Sequence, residues 1–398
     1  MIAKRVSRIP TSSTVGIADL ASAMRLDGKD VIDLSAGRAA EATEPTICAA
    51  AANAMEAGHT HQSPARGVPE YLASVSEKLA RDNGLAYASS GEVMATLGCK
   101  NGLVLSLFAI LDPGDEVIVE DPCFVSYQPT IALCGGVARR VIVKPENAFR
   151  WTAEDLARAV TPKTKAILFC SPHNPLGVVH NADDLAVIAN VAKDNNLLVI
   201  ADEIYEAVAW GGRKHLPIAS LPNMKERTIG LMGMTKSYSM GGWRIGYAYG
   251  PDEIIEKMTL VQGHLMTCAS TINQWAGIEA LSEPVTQRLR ATTWRDWEKR
   301  CDYFADALDS IDGLSCARPE GGFYVWLDVS GTGADGDAFT ENLVKEHYVT
   351  SVPGSGFGPS SGDRVRMTCV KSWKDITRAV DRIAASVQSL NSRSRRRA

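Results

Sequence analysis

Residues 165–206 read KAILFCSPHNPLGVVHNADDLAVIANVAKDNNLLVIADEIYE. The stretch opens on a short apolar run, Lys165–Cys170, and passes through Ser171–Gly177 (SPHNPLG). It then carries a helix-length amphipathic pattern over Ala182–Asp194 and returns in a second apolar run, Leu197–Ala201. Apolar strands separated by a helix are the pattern of parallel strands covered on both faces. Working outward, Glu116–Glu120 (EVIVE) follows the chain-breaking Pro113–Gly114, and Thr228–Met232 (TIGLM) is a further buried-strand run. Together these predict an α/β fold with a large, doubly wound, mostly parallel sheet.

The last third reads differently. A long charged helix is expected across Thr286–Leu308, then an alternating strand at Gly321–Val329 and a helix over Ala338–His347. A second alternating run at Arg364–Cys369 and a final helix over Lys374–Leu390 follow. Strands mixed with helices predict a smaller α+β domain. We expect an N-terminal segment over residues 1–45, a large domain over 46–285 and a small domain over 286–398, in keeping with about 150 residues per domain.

Composition narrows the function classes. Of the 398 residues, 45% are hydrophobic and 22% charged, which argues against wholesale disorder. No run of about 18 apolar residues is present, so no membrane helix is expected, and the N-terminus lacks the apolar core of a secretory signal. A net charge of −4 leaves no basic footprint for nucleic acid. The tail arginines Arg393, Arg395, Arg396 and Arg397 read as a solvated terminus. Nine cysteines without a C-x-x-C pair fit reduced thiols in a cytoplasmic protein better than a disulfide framework or a zinc site, and no metal is expected.

In open parallel sheets ligands bind beyond the carboxyl ends of the strands. After the apolar runs come Ser171–Gly177, then Asp202, Glu203, Ile204 and Tyr205, then Gly233, Met234, Thr235 and Lys236. After Val93–Thr96 comes Leu97-Gly98-Cys99-Lys100-Asn101-Gly102. If these strands are neighbours, all four sets converge. Desolvation at a strand end would favour the neutral, nucleophilic amine of Lys236, although a lone lysine there reads more readily as a surface residue. Arg244, in GWRIGY, is expected to be buried and to want an anion such as phosphate, or an ordinary ion-pair partner. Gly98-Cys99 opens a helix whose free N–H groups suit phosphate, as many βα turns do. Asp202 needs a cation if buried, a protonated pyridine nitrogen for instance; a helix N-cap is the other reading.

These residues, in this order, resemble the class I/II aminotransferases, a pyridoxal-phosphate family of fold type I whose best-known members are aspartate aminotransferases. The motifs are SPHNPLG (171–177), ADEIYE (201–206), MTKSYSMGGWRIGY (234–247) and RVRMT (364–368), supported by SPARGVPEYL, LDPGDEVIVEDP, PEGGFYVW and VPGSGFG, and the likeness covers about Val31 to Ile383. The spacing of eight from Lys236 to Arg244 adds to it.

The resemblance implies that pyridoxal 5′-phosphate is held covalently by Lys236, as a Schiff base, and that the freed amine then shuttles a proton. It also implies that Asp202 keeps the ring nitrogen protonated, that Asn174 and Tyr205 bond the ring's phenolic oxygen, and that Phe124 stacks on the ring. Gly98, Cys99, Lys100, Thr235 and Arg244 fall at or beside phosphate-binding positions. Arg366 falls where the substrate α-carboxylate is clamped, and Gly37 in the segment that closes over substrate. A homodimer with shared active sites is implied, with Gln62 and the stretch around Gly263–Ile272 as the borrowed parts.

The sequence departs from the family in three places. Gln62 replaces a tyrosine that reaches the neighbouring subunit's phosphate, and Gly233 and Thr235 replace the two serines of S-x-S-K. Fewer phosphate contacts predict weaker cofactor retention. Residues 38–45, RAAEATEP, replace the usual E-P-D-F type sequence, which bears on substrate choice. Arg38 would pair with a distal acidic group or face solvent. Lys100 is a residue that some relatives use for the side-chain carboxylate of a dicarboxylic substrate.

The expected activity is amino-group transfer between an L-amino acid and a 2-oxo acid, of aspartate or glutamate type. Another pyridoxal-phosphate reaction on the same scaffold is the alternative: a β-lyase, a cyclopropane-forming synthase, or a decarboxylating or oxidative enzyme. A ligand-sensing module fused to a DNA-binding domain is disfavoured because no helix-turn-helix segment is read before the fold. A nicotinamide enzyme is disfavoured because no G-x-G-x-x-G follows the first strand.

Overall fold

The computed structural model describes Val6, Ile9 and residues 13–397, with the side chains of 13–15, 391 and 393–397 excepted. The side chains of Arg393, Arg395, Arg396 and Arg397 therefore lie outside the described residues.

A short strand β1 (Ile32–Asp33) precedes the main sheet. Seven strands then build that sheet: β2 (Val93–Thr96), β3 (Glu116–Asp121), β4 (Val137–Ile142), β5 (Thr164–Cys170), β6 (Leu198–Asp202), β7 (Thr228–Gly233) and β8 (Gly246–Tyr249). Their order is β2-β8-β7-β6-β5-β3-β4, parallel throughout except that β8 runs antiparallel to both neighbours.

β5 shows why both faces are covered. Ala166, Leu168 and Cys170 belong to one apolar cluster, and the alternate residues Ile167 and Phe169 belong to the other. Successive side chains point to opposite faces, so an unbroken apolar strand needs a packed layer on each side. The helix Ala182–Asp194 supplies one layer, burying Leu185, Ile188, Ala189 and Ala192 at helical spacing. Its start is fixed by a capping box: Asn181 Oδ1 accepts from the Asp183 and Asp184 backbone N–H groups, and Asp184 Oδ2 accepts from Asn181 N at 2.9 Å.

Towards the C-terminus come β9 (Tyr324–Asp328), β10 (Val349–Thr350), β11 (Val352–Pro353) and β12 (Arg364–Thr368). β11, β12 and β9 form a three-stranded antiparallel sheet. β1 pairs in parallel with β10, and Thr350 Oγ1 donates to Asp33 Oδ1 at 2.8 Å, which fastens the early segment to the C-terminal part.

The single helix expected across Thr286–Leu308 is instead two helices, Glu283–Leu289 and Arg295–Asp309, joined by a wide π-type turn at Arg290–Trp294. Thr292 Oγ1 donates back to Arg288 O at 2.8 Å, and the Trp294 indole donates to Ser237 O at 2.7 Å. Side-chain competition for a helix carbonyl and a tertiary anchor on the next turn favour the wider winding there. The final helix runs Trp373–Arg397, longer than the apolar pattern indicated.

Candidate active site

The ends of β5, β6 and β7 lie side by side, which meets the condition for their loops to converge. The end of β2 is not their neighbour, because β8 intervenes. All four still open onto one cavity of about 240 Å³, since β8 reverses direction twice over and leaves β2 pointing the same way as β7.

Asp202 forms one wall of this cavity. It is 7% exposed and accepts from Tyr127 Oη at 2.7 Å, from Cys99 Sγ at 3.2 Å and from the Ile204 N–H at 3.3 Å. Burial raises this carboxyl above its ordinary value, and the three donors offset that only in part. No basic side chain pairs with it among the described residues. No helix begins after Asp202, so the N-cap reading falls away; the Ile204 contact is a local turn.

Three cations gather at the same cavity: Lys100, Lys236 and Arg244. Lys100 stands in the first turn of the helix Cys99–Ile110, exposed as a whole residue, with its Nζ 5.3 Å from the centre of the Phe124 ring. Partial desolvation by its surroundings, and then the charges of Arg244 and Lys236, lower its affinity for a proton. Lys236 is half-buried, not fully desolvated, and its Nζ donates to Gly37 O at 2.9 Å.

The expected burial of Arg244 is corrected: the residue is exposed. It takes a left-handed φ of 53° after Gly241-Gly242, which turns it away from the core that holds Ile245 and Tyr247. Its guanidinium donates to neutral oxygens alone: Leu97 O, Gly241 O and Thr235 Oγ1, at 3.2, 3.2 and 3.5 Å. A Cβ on Gly98, at φ 87°, would stand 3.1 Å from Arg244 Nη2, so glycine there lets the helix start close on the guanidinium.

A further set lies beside the lysine. Arg366 is 2% exposed; it donates from Nη1 to Asn174 Oδ1 at 2.9 Å and from Nη2 to Ser35 O at 2.6 Å. Its Nε is buried without a partner, a donor that a bound anion would satisfy. Tyr205 donates to Tyr324 Oη at 3.3 Å, and burial, followed by the neighbouring Tyr324, raises the Tyr205 phenol well above its usual range.

Thus Gly98, Cys99, Lys100, Phe124, Asn174, Asp202, Tyr205, Thr235, Lys236, Arg244, Arg366 and Gly37 come together in or against the cavity. Gln62 and Arg38 do not: both are exposed and neither lines it. Sequence reasoning missed Tyr127 and Tyr324, which do line it. Tyr127 stands three residues after Phe124 in a short helix, and Tyr324 begins an alternating strand; neither spacing marks a site without the fold.

A model of the family described as aminotransferase class I and II matches residues 29–383. The chain belongs to this family. An aspartate aminotransferase of Geobacillus stearothermophilus is 39% identical to it over 391 residues, with 96% of this chain and 98% of the relative covered. One from Bacillus subtilis is 37% identical over 396 residues, at 97% and 99% coverage. Among solved structures, aspartate aminotransferase from Thermus thermophilus with maleate superposes with a TM-score of 0.93 at 35% identity, covering 97% of this chain and 99% of that one. An aromatic aminotransferase from Pyrococcus horikoshii superposes with a TM-score of 0.88 at 33% identity, covering 92% and 98%. This aminotransferase therefore has the fold type I architecture, and its activity is amino-group transfer. No helix among its described residues is long and apolar enough to cross a membrane.

Proposed function

We propose that this aminotransferase works with pyridoxal 5′-phosphate in the cavity at the end of β6 and prefers dicarboxylic substrates of the aspartate or glutamate type. One observation carries the cofactor reading. The cavity holds an unpaired buried carboxylate, Asp202, and three cations, Lys100, Lys236 and Arg244, of which none has a carboxylate partner among the described residues. A molecule with a cationic ring nitrogen and a phosphate answers both unmet charges.

The residues present fit that group. The helix start at Gly98, Cys99 and Lys100, with Thr235 and Arg244, would hold the phosphate. Asp202 would hold the proton on the ring nitrogen, Phe124 would lie on the ring, and Asn174 and Tyr205 would bond its phenolic oxygen. When bound, the cofactor supplies an aldehyde that condenses with amines and a ring that accepts electrons. Arg366 grips the substrate α-carboxylate in a two-pronged bond and turns the Cα–H bond towards Lys236. Lys236 Nζ takes the Cα proton and returns it as general base and acid. Gly37 offers its carbonyl to that amine.

Lys100 supports the acidic-substrate reading, since its ammonium faces the cavity beside Phe124. Relatives named aspartate aminotransferase, one of them solved with the dicarboxylate maleate, point the same way. Arg38 supports it less, because its exposed side chain does not line the cavity.

We further read the protein as a cytoplasmic homodimer. The nine cysteines are free, which suits a reducing compartment. Leu260, Leu265 and Met266 are exposed at or beside the stretch around Gly263–Ile272, and Thr271 Oγ1 donates to His61 O at 2.7 Å, so this stretch and Gln62 form one surface to offer a partner subunit. In this reading residues 46–285 carry the cofactor, 286–398 bring Arg366, and 1–45 bring Gly37.

A panel of amino donors with pyruvate, oxaloacetate and 2-oxoglutarate tests the function. Acidic donors should give the highest kcat/KM, and amino acid alone should leave pyridoxamine phosphate. Failure to form it would defeat the transamination reading.

A further inference from the structure

β9 and β12 pair antiparallel, with Arg366 opposite Trp326 and Thr368 opposite Tyr324. Tyr324 and Arg366 therefore stand diagonally on one face of the pair, and the guanidinium carbon lies 4.1 Å from the Tyr324 ring centre. The hydroxyl of the same tyrosine accepts from Tyr205 Oη at 3.3 Å. It also presses on Gly37, where a Cβ would fall 1.8 Å from it. The Gly37 carbonyl in turn accepts from Lys236 Nζ at 2.9 Å. One buried phenol thus joins the carboxylate-binding arginine, the Tyr205 hydroxyl, the substrate-closing segment and the proton-carrying lysine.

We propose, on the aminotransferase reading above, that Tyr324 is a positioning residue: its ring carries Arg366, and its hydroxyl shares the Tyr205 proton and, with the Gly37 carbonyl, holds the Lys236 amine where it meets the substrate Cα proton. The charged and titratable groups facing this hydroxyl are Lys236, Arg366, Tyr205 and, from beyond β12, Lys371. Burial works to raise the Tyr324 phenol, but the Lys236 and Arg366 charges and the hydrogen bonds of Tyr205 and Lys236 bring it below its ordinary value. Tyr205 is shifted the opposite way and keeps its proton. That single proton has two claimants once a cofactor phenolic oxygen is present, so removing the Tyr324 hydroxyl releases it wholly to the cofactor. The same removal takes an acceptor away from the Lys236 nitrogen. Both changes favour the unprotonated form of the Lys236–cofactor link.

The first test needs no cofactor. An ultraviolet titration of the cofactor-free protein should show one phenol ionising below the others. It should be missing in Tyr324→Phe and displaced upward in Lys236→Ala. Identical titrations in wild type and Tyr324→Phe would overturn the contact with Lys236, whatever reaction the enzyme performs.

The second test uses the holoenzyme. In Tyr324→Phe the midpoint of the visible pH titration should fall by about one pH unit. An unchanged midpoint with cofactor bound would overturn the hydroxyl's role. The third test separates ring from hydroxyl. Tyr324→Leu should raise KM for the amino donor about tenfold over Tyr324→Phe, because only the leucine variant loses the platform under Arg366. Equal KM values would overturn the ring's role. If the leucine variant does not fold by circular dichroism, Tyr324→Phe decides the proposal through the two titrations.

Discussion

The Tyr127 hydroxyl donates to Asp202 Oδ2 at 2.7 Å from a position 75 residues earlier in the chain. With Cys99 on the other oxygen, it leaves Asp202 bonded by neutral donors and without a cation. Such a carboxylate costs the cofactor-free protein stability.

The sign of that cost fixes a pH dependence. Burial raises the folded-state value of Asp202 above the unfolded 3.8. As pH rises from the unfolded value through the raised folded one, the unfolded chain releases its proton while the folded chain keeps it. The stability of the cofactor-free protein therefore falls across that window. Asp202→Asn lacks this fall. Its cofactor-free form should melt at or above wild type at neutral pH, while the gain in Tm on adding pyridoxal phosphate should shrink. Scanning fluorimetry across pH, with and without cofactor, checks both; a variant less stable than wild type throughout would contradict the unpaired-carboxylate account.

Arg366→Lys keeps the charge but loses the planar fork that Asn174 and Ser35 O hold in place. A bidentate site read by a point charge should lose kcat/KM by about a hundredfold. Asn174→Ala should cost less, since the guanidinium keeps its bond to Ser35 O. Steady-state kinetics on one amino donor ranks the two.

Lys100→Ala should narrow the advantage of acidic over neutral amino donors by about tenfold, because one charged contact to a side-chain carboxylate is worth roughly that. The ratio of kcat/KM for aspartate and alanine reads it directly. An unaltered ratio would leave the acidic preference without its residue.

The departure at Gly233 has a packing reason. A Cβ there would stand 3.2 Å from Cys99 N and 3.6 Å from Cys99 Cβ. A side chain at 233 would thus press on the backbone of the helix start at Cys99, and restoring the family's serine there should loosen the cofactor. Gly233→Ala, which adds the same carbon without a hydroxyl, should loosen it by as much. Loss of cofactor on dialysis, measured for both variants, separates the crowding from a lack of hydroxyls.

Much of this was legible in the chain. Apolar runs separated by amphipathic stretches identified the strands β3, β5, β6 and β7 to within a residue or two, because burial on both faces leaves a continuous apolar signal. Residues following those runs, Asp202, Lys236 and Asn174, were legible as lining one cavity because strand ends in such sheets converge on a crevice. The exposure of Arg244 was not, since a left-handed turn after two glycines reverses what its apolar neighbours suggest.

The sequence by itself determined the parallel sheet, the family and the residues at the strand ends, because these depend on local periodicity and short spacings. Tertiary structure alone decided that Tyr127 and Cys99 reach Asp202, that Gly37 stands between Tyr324 and Lys236, and that Arg366 rests on a ring from the neighbouring strand. Those partners come from segments tens to hundreds of residues apart, and an antiparallel strand between β2 and β7 sets which of them face each other. No local pattern encodes such a juxtaposition; the packing of the whole chain does.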